Sequence, residues 1–267
     1  MQIVLGILLA SAIAYASYWL GALNRSGGVA AMLCGTLIFG LGGLPWAVLL
    51  LIFFITSSSL SRVFAGRKKP LSERFSKSSQ RDSGQVLANG GLGTLLVLIH
   101  AILPHQSWPW IAFAGAMAAV TADTWATELG VLSPVPARLV TTGKIVDPGV
   151  SGGVSLLGYL AAAGGALLIG LGTVIFSSFT PGINLVVLVL LAGLSGSTVD
   201  SVLGASLQAI YYCQRCGKET ERHPFHSCGA KTVHQRGWRW LNNDVVNFSC
   251  SCVGAGIALG LWYLFTQ

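Results

Sequence analysis

Residues 108–134 read WPWIAFAGAMAAVTADTWATELGVLSP. The stretch begins as apolar chain long enough to cross a bilayer, which takes about 20 residues for roughly 30 Å of hydrocarbon. It ends with Asp123, Glu128 and three threonines near one end. A carboxylate at membrane depth costs about 2.5 to 3.5 kcal/mol even on the lenient insertion scale. At about 100° per residue, measured from Asp123, Thr127 lies at about 40°, Thr124 at about 100°, Glu128 at about 140° and Thr121 at about 160°. One side of the helix is therefore polar, as expected if it faces a wet cavity or a metal. The alternative is that both carboxylates sit in the interfacial zone and cap neighbouring helices.

The rest of the chain has the same character. Hydrophobic residues make up 53% and charged residues 9% of 267 positions, against about 25% charged in ordinary soluble domains. The composition excludes a soluble enzyme and predicts one membrane domain over 1–267, an all-α polytopic bundle of about eight helices. Apolar runs fall near 2–23, 28–43, 45–64, 86–103, 109–129, 152–177, 184–210 and 243–265, the second short enough to be re-entrant. The first run has no basic n-region and is expected to stay as a helix. All sixteen Lys and Arg residues lie in alternate connections: Arg25, the basic loop 65–85 with its flanking Arg62, the connection holding Arg138 and Lys144, and the loop 211–240 with its flanks. The positive-inside rule makes those connections cytoplasmic and puts both termini outside. A net charge of +7 confined to one face suits anionic headgroups or anionic substrates. No soluble basic domain is large enough to hold nucleic acid.

The acidic residues obey the same asymmetry. Asp200 shares its helical stripe with Gly193, Gly196, Ser197 and Gly204, small residues that let another helix approach closely. The last helix opens with Asn242, Asn243, Asp244 and Asn247. Asp123, Glu128, Asp200 and Asp244 can thus converge near the cytoplasmic face as hard oxygen ligands for Mg²⁺, which fills its other positions with water and substrate phosphate. Four helices are approached by NRSGG, DPGVSGG, NND and RDSGQ, the last containing Arg81, Asp82 and Ser83. Helix N-termini of this kind offer amide donors to anions, although ordinary capping by Ser, Asp and Asn is the alternative for any one of them. With Asn89 and Lys144 they form a candidate phosphate-binding set together with Asn242, Asn243 and Asn247.

The stretch CQRCGKETERHPFHSCG (213–229) is a different motif. Cys213 and Cys216 form a CxxCG knuckle, His226 and Cys228 supply a second pair, and His223 or His234 are alternates. Four N and S ligands suit a structural zinc with no open coordination position. A disulfide, disfavoured on a reducing face, and unmetallated thiols are the alternatives.

DSGQVLANGG, ADTWATELG, GLSGSTVDSVLGA, CQRCGKETERHPFHSCG and RGWRWLNNDVVNF together resemble the integral membrane family that includes transmembrane protein 19 and the phytyl-phosphate kinase of tocopherol synthesis. The similarity spans nearly the whole chain. It implies transfer of a phosphoryl group from CTP to a membrane isoprenoid monophosphate of phytyl or geranylgeranyl type, giving the diphosphate. The rival expectations are a CTP-dependent cytidylyltransferase, a lipid-alcohol kinase and, from another class, a cation-coupled transporter. The sequence leaves the oligomeric state open, a dimer included.

Overall fold

Helix α5 (Trp108–Gly130) is buried without interruption from Pro109 to Ala122, and a helix apolar and buried all round belongs at the centre of a bundle. The computed structural model describes residues 1–68, 73–75, 80–176 and 185–266. Around α5 stand α1 (Gln2–Trp19), α2 (Arg25–Val63), the single turn α3 (Ala65–Lys68), α4 (Ser83–Ile102), α6 (Leu156–Val174), α7 (Leu185–Ser206) and α8 (Asn243–Thr266). α5 packs against α6, α7, α8, α4 and the second arm of α2. Among the described residues, six helices are long and apolar enough to cross a membrane, namely α1, α2, α4, α6, α7 and α8. α5 falls short of that apolarity because Asp123, Glu128 and three threonines occupy its last turns.

The expected second and third spans are the two arms of α2. Gly43 breaks the helix at φ 73° and ψ −161°, a conformation open to glycine, and Pro45 follows without an amide to donate. The chain reverses there: Arg62, near the far end of α2, donates to the Leu20 carbonyl beside its start. The arm that the sequence leaves open to being re-entrant runs the length of α1, with Gly35 against Ala10 and Gly40 against Ile3. The eight expected spans are therefore α1, the two arms of α2, α4, α5, α6, α7 and α8.

Small residues set the spacing. A Cβ on Gly115 would fall 2.4 Å from the Gly254 carbonyl oxygen, and one on Gly196 would fall 2.5 Å from the Ala119 Cβ. Gly193 is likewise pressed against Ala166 and Ala118. α5, α7 and α8 thus approach at backbone distance, the contact that substitutes for hydrophobic driving force between helices in lipid. At the Gly43 end, Trp46 packs on Phe113 (4.6 Å between ring centres) and Trp110 (5.5 Å).

The basic connections meet at the other end. Two of them carry small antiparallel sheets that an all-α reading treats as loop. β1 (Ala137–Leu139) lies between β2 (Ile145–Val146) and β3 (Gly153–Val154), and β4 (Ile210–Cys213) lies between β5 (Lys218–Thr220) and β6 (Val233–Arg236). Residues 73–75 of the basic loop tie the two together. Arg74 pairs with Asp147 at 2.8 Å, its carbonyl accepts the Glu221 amide at 2.8 Å, and the Glu73 carbonyl accepts the Thr220 hydroxyl at 2.8 Å. The rest of the expected basic loop at 69–72 and 76–79, and the connection SFTPG at 178–182, lie outside the described residues.

Candidate active-site cavity and metal cluster

A polar cavity of about 570 Å³ opens among the helix ends on the basic side. α5 supplies Asp123, Thr124, Thr127 and Glu128 to its wall, α7 supplies Ser197, Asp200 and Ser201, α8 supplies Asn243 and Asn247, and α4 supplies Gln85 and Asn89. The spacing explains the choice of residues. Asn243 and Asn247 are four apart and share a helix face, whereas Asp244 lies about 100° round from Asn243. Asp244 is accordingly not on the wall.

The Asp123 and Asp200 carboxyls lie within hydrogen-bonding reach of each other. Asp200 Oδ2 is buried with no hydrogen-bond partner among the described residues. Glu128, only 6% exposed, accepts from the Ser61 hydroxyl at 2.7 Å. Arg81 faces the same space. Its Nη1 donates to Ser58 Oγ at 3.3 Å, and its guanidinium stands 5.4 Å from the Phe53 ring centre. Burial draws the guanidinium pKa down to about 10 while the charge of Glu128 opposes the fall, so Arg81 remains a cation at neutral pH.

Other expected site residues have local tasks. Asp82 is the N-cap of α4 and forms a reciprocal capping box with Gln85, the arrangement that satisfies two amides at once. The Ser83 amide donates to Ser26 Oγ at 3.2 Å. Asn242 Oδ1 accepts the Val245 amide at the start of α8. Lys144 is exposed beyond Gly143, at the tip of the β1–β2 hairpin. The four helix starts read as anion sites are all capped by side chains, with Asn24 accepting from Gly27 and Ser155 from Gly158 in the remaining two. Those of α4, α6 and α8 border the cavity; that of α2 does not.

The sequence reading missed the wall that the loops contribute. Glu221 follows β5 and reaches the cavity, near enough for its charge to act on Asp200. Gln208, 2% exposed, fixes it by donating to Glu221 Oε1 at 2.8 Å while accepting from Ser151 Oγ at 3.0 Å. Arg222 and the segment 148–155 complete this side. Gly152 lets that segment lie on α7, since a Cβ there would fall 2.4 Å from Ala205. The signal available was the pair Glu219 and Glu221, acidic residues inside an otherwise basic loop.

In the same loop, ligand atoms of Cys213, Cys216, His226 and Cys228 all lie within 4.8 Å of one another. Cys213 Sγ is 3.6 Å from Cys228 Sγ, and His226 Nδ1 is 3.5 Å and 3.4 Å from the sulfurs of Cys216 and Cys228. Ligands of a tetrahedral zinc at its usual bond lengths stand about 3.5 to 3.8 Å apart, so the cluster can hold such an ion. The Ala230 amide, with His226 second, pulls the Cys228 thiol down to about 6, towards the thiolate that binds metal. The alternates are engaged elsewhere: His223 stacks on Tyr211 at 4.4 Å, and His234 Nε2 is 3.0 Å from the Gly237 carbonyl.

Comparison with known proteins fits this architecture. The family described as integral membrane protein DUF92 matches residues 8–255. Protein PGR of Arabidopsis thaliana is 36% identical over 269 residues, covering 92% of this chain and 91% of that protein. The membrane protein MJ0933 of Methanocaldococcus jannaschii is 34% identical over 186 residues, covering 68% and 74% of the two chains. Protein VTE6, chloroplastic, of Arabidopsis thaliana is 23% identical over 241 residues, covering 89% of this chain and 64% of that one. No solved structure matches. With a multi-pass helical bundle, a Cys/His cluster and a family match over nearly its whole length, the chain belongs to the DUF92 family of integral membrane proteins.

Proposed function

We propose that the protein is a kinase of isoprenoid monophosphates, using CTP to convert a phytyl- or geranylgeranyl-type monophosphate to its diphosphate. The observation that carries the reading is the meeting of Asp123 and Asp200, from separate helices, in one polar cavity with the cation Arg81 on its wall. The motif resemblance to the phytyl-phosphate kinase supports the substrate class, as does family membership with VTE6 among the relatives.

The donor set suits Mg²⁺. It consists of oxygens, and one of them, Asp200 Oδ2, is buried without a partner among the described residues, a costly state unless something pairs with it. Asp123, Asp200, Glu128 and Glu221 would hold the ion directly or through water; Asp244, off the wall, falls outside this set. When bound, Mg²⁺ supplies charge neutralisation across the transferring phosphates.

The remaining work belongs to the chain. Arg81, Gln85 and Asn89 hold the acceptor phosphate, and Asn243 and Asn247 face the nucleotide phosphates. An acceptor oxygen attacks the γ-phosphorus, the bond to the β–γ bridging oxygen breaks, and CDP departs with that electron pair. A phosphate monoester has a second pKa near 6, so the acceptor is mostly ionised and needs no general base. Zinc in the Cys213–Cys216–His226–Cys228 cluster is structural, because four protein ligands leave no open position. The positive-inside rule puts the cavity at the cytoplasmic face, where the nucleotide is soluble.

The test is to incubate purified protein with Mg²⁺, CTP and phytyl, geranylgeranyl or farnesyl monophosphate and to identify products by mass spectrometry. CDP with lipid diphosphate is expected. CDP-lipid with pyrophosphate would replace the kinase by a cytidylyltransferase, and phosphorylation of the free alcohol alone would replace it by a lipid-alcohol kinase. The buried apolar half of α5 and the Trp46, Trp110 and Phe113 layer lie between the cavity and the far end of the bundle, which supports an enzyme over a transporter.

A further inference from the structure

A second, apolar space adjoins the polar cavity. It is a narrow slot of about 70 Å³ between α1, the two arms of α2 and α4. Ala10 and Ala14 of α1, Ala31 and Gly35 of the first arm of α2, and Gly90 of α4 line it. Small residues from three helices usually mark close contact. Ala10 and Gly35 do touch, a Cβ on Gly35 falling 3.1 Å from the Ala10 Cβ, but nothing stands within 4 Å of a Cβ on Gly90, and a gap in a packed interior forfeits the dispersion contacts of its lining. Phe39 and Leu50 close the deep end, and Phe53 and Phe54 form the wall nearest the basic loops.

Three residues belong to both spaces: Arg81, Gln85 and Asn89. The Arg81 guanidinium lies over the aromatic wall, 5.4 Å from the Phe53 ring centre and 5.9 Å from that of Phe54, with its other side towards Glu128 and the polar cavity. A cation at the mouth of an apolar slot, flanked by two amides, is matched by a molecule with an anionic head and a hydrocarbon tail. A phosphate oxygen takes charge-assisted hydrogen bonds from such a guanidinium.

We infer that this slot holds the hydrocarbon tail of a phosphorylated lipid whose phosphate rests on Arg81, Gln85 and Asn89 at the edge of the carboxylate cavity. The inference rests on the proposed reading that the acceptor is a lipid phosphate. From Ala31 to Phe39 the slot follows α2 for about 12 Å. It therefore takes the head-proximal part of a long chain, and the remainder emerges between α1 and α4 into the bilayer. Recognition is set by the first isoprene units and the phosphate rather than by total chain length.

The experiment uses the full chain in lipid nanodiscs and needs no nucleotide. Phytyl monophosphate carrying a diazirine near the head of its tail is photolysed on the protein, and the labelled peptides are identified by mass spectrometry. Labelling is expected in 10–14, 31–39 and 50–54, with loss of most of it under competition by phytyl monophosphate but not by phytol. Ala31→Phe, which fills the slot, is expected to cut the labelling about tenfold while zinc content and melting temperature stay at wild-type values. Labelling spread over the outward residues of α1 such as Ile3 and Leu8, indifferent to competitor, overturns the inference. So does unchanged labelling of a folded Ala31→Phe protein. Competed labelling in the slot without diphosphate formation from CTP would leave the slot standing and remove the kinase, whereas diphosphate formation with the label elsewhere would do the reverse.

Discussion

The Cys/His cluster and the carboxylate cavity share one end of the bundle but are held together in different ways. The cluster draws its four residues from 213–228, inside a loop held by two strand pairings, β4 with β5 and β4 with β6. The cavity draws its carboxylates from α5, α7 and the end of β5, each clamped by helix packing or by a buried glutamine. On the proposed reading an ion would fix the shape of the cluster, because binding free energy at such sites is folding free energy. The cavity keeps its shape, because backbone contacts such as Gly196 on Ala119 set the distance between Asp123 and Asp200. One site gathers its four residues within a single loop, and the other gathers them from separate packed helices.

The largest effect that sharpens this contrast is expected from Asp200→Asn. Partners of metal ligands alone are worth about 10 to 100-fold, so losing a cavity carboxylate should lower turnover by more than about 100-fold, with circular dichroism and melting temperature unchanged. Turnover within a few-fold of wild type would remove Asp200 from the cavity's chemistry.

Cys213→Ser should act the other way round. Zinc, measured by elemental analysis of the purified protein, should fall to background, and proteolysis between 207 and 242 should accelerate while the helices stay folded. Zinc absent from the wild type would break the comparison at its first term.

Glu221→Gln joins the two sites. The residue follows the cluster's strand β5 yet lines the cavity, so the variant should keep its zinc and lose about 10-fold in apparent Mg²⁺ affinity, read from the Mg²⁺ dependence of the rate. An unchanged Mg²⁺ dependence would assign Glu221 to holding Gln208 alone. The smallest change is expected from Lys144→Ala. The side chain is exposed on a hairpin tip, and substitutions at such positions stay within about 0.5 kcal/mol, about a twofold change in rate constant or less.

The same contrast explains what could be read from the sequence. The cluster was legible residue by residue, since CxxC and HSC keep Cys213, Cys216, His226 and Cys228 close along the chain. Asp123, Glu128 and Asp200 were legible as isolated charges in apolar helices. Glu221 was not, because its place depends on how β5 pairs with β4 and on residues 73–75 docking beside it. Asp244 and Asn243 were grouped by position, but one residue of helical rotation separates them and only Asn243 reaches the wall. Asp82 and Asn242 are the expected polar residues at helix starts, and both cap their helices. The small sheets were hidden because strands of two to four residues leave no periodic pattern.

The burial of α5 bears on how the protein is made. Taken alone, α5 is the hardest of the long helices to commit to a bilayer, since Asp123 and Glu128 each carry an insertion penalty and the helix fails the apolarity that the other six long helices meet. Its short connection to α4, 103–107, lets the two enter as a pair, with α4 facing lipid first. α7 and α8, which close over α5, follow it in the chain, so Asp123 waits for Asp200 until α7 has been made. Any truncation that removes α8 would leave the central helix open to lipid, and a half-made chain would carry an uncovered charge inside the membrane, a feature that quality-control proteases can recognise.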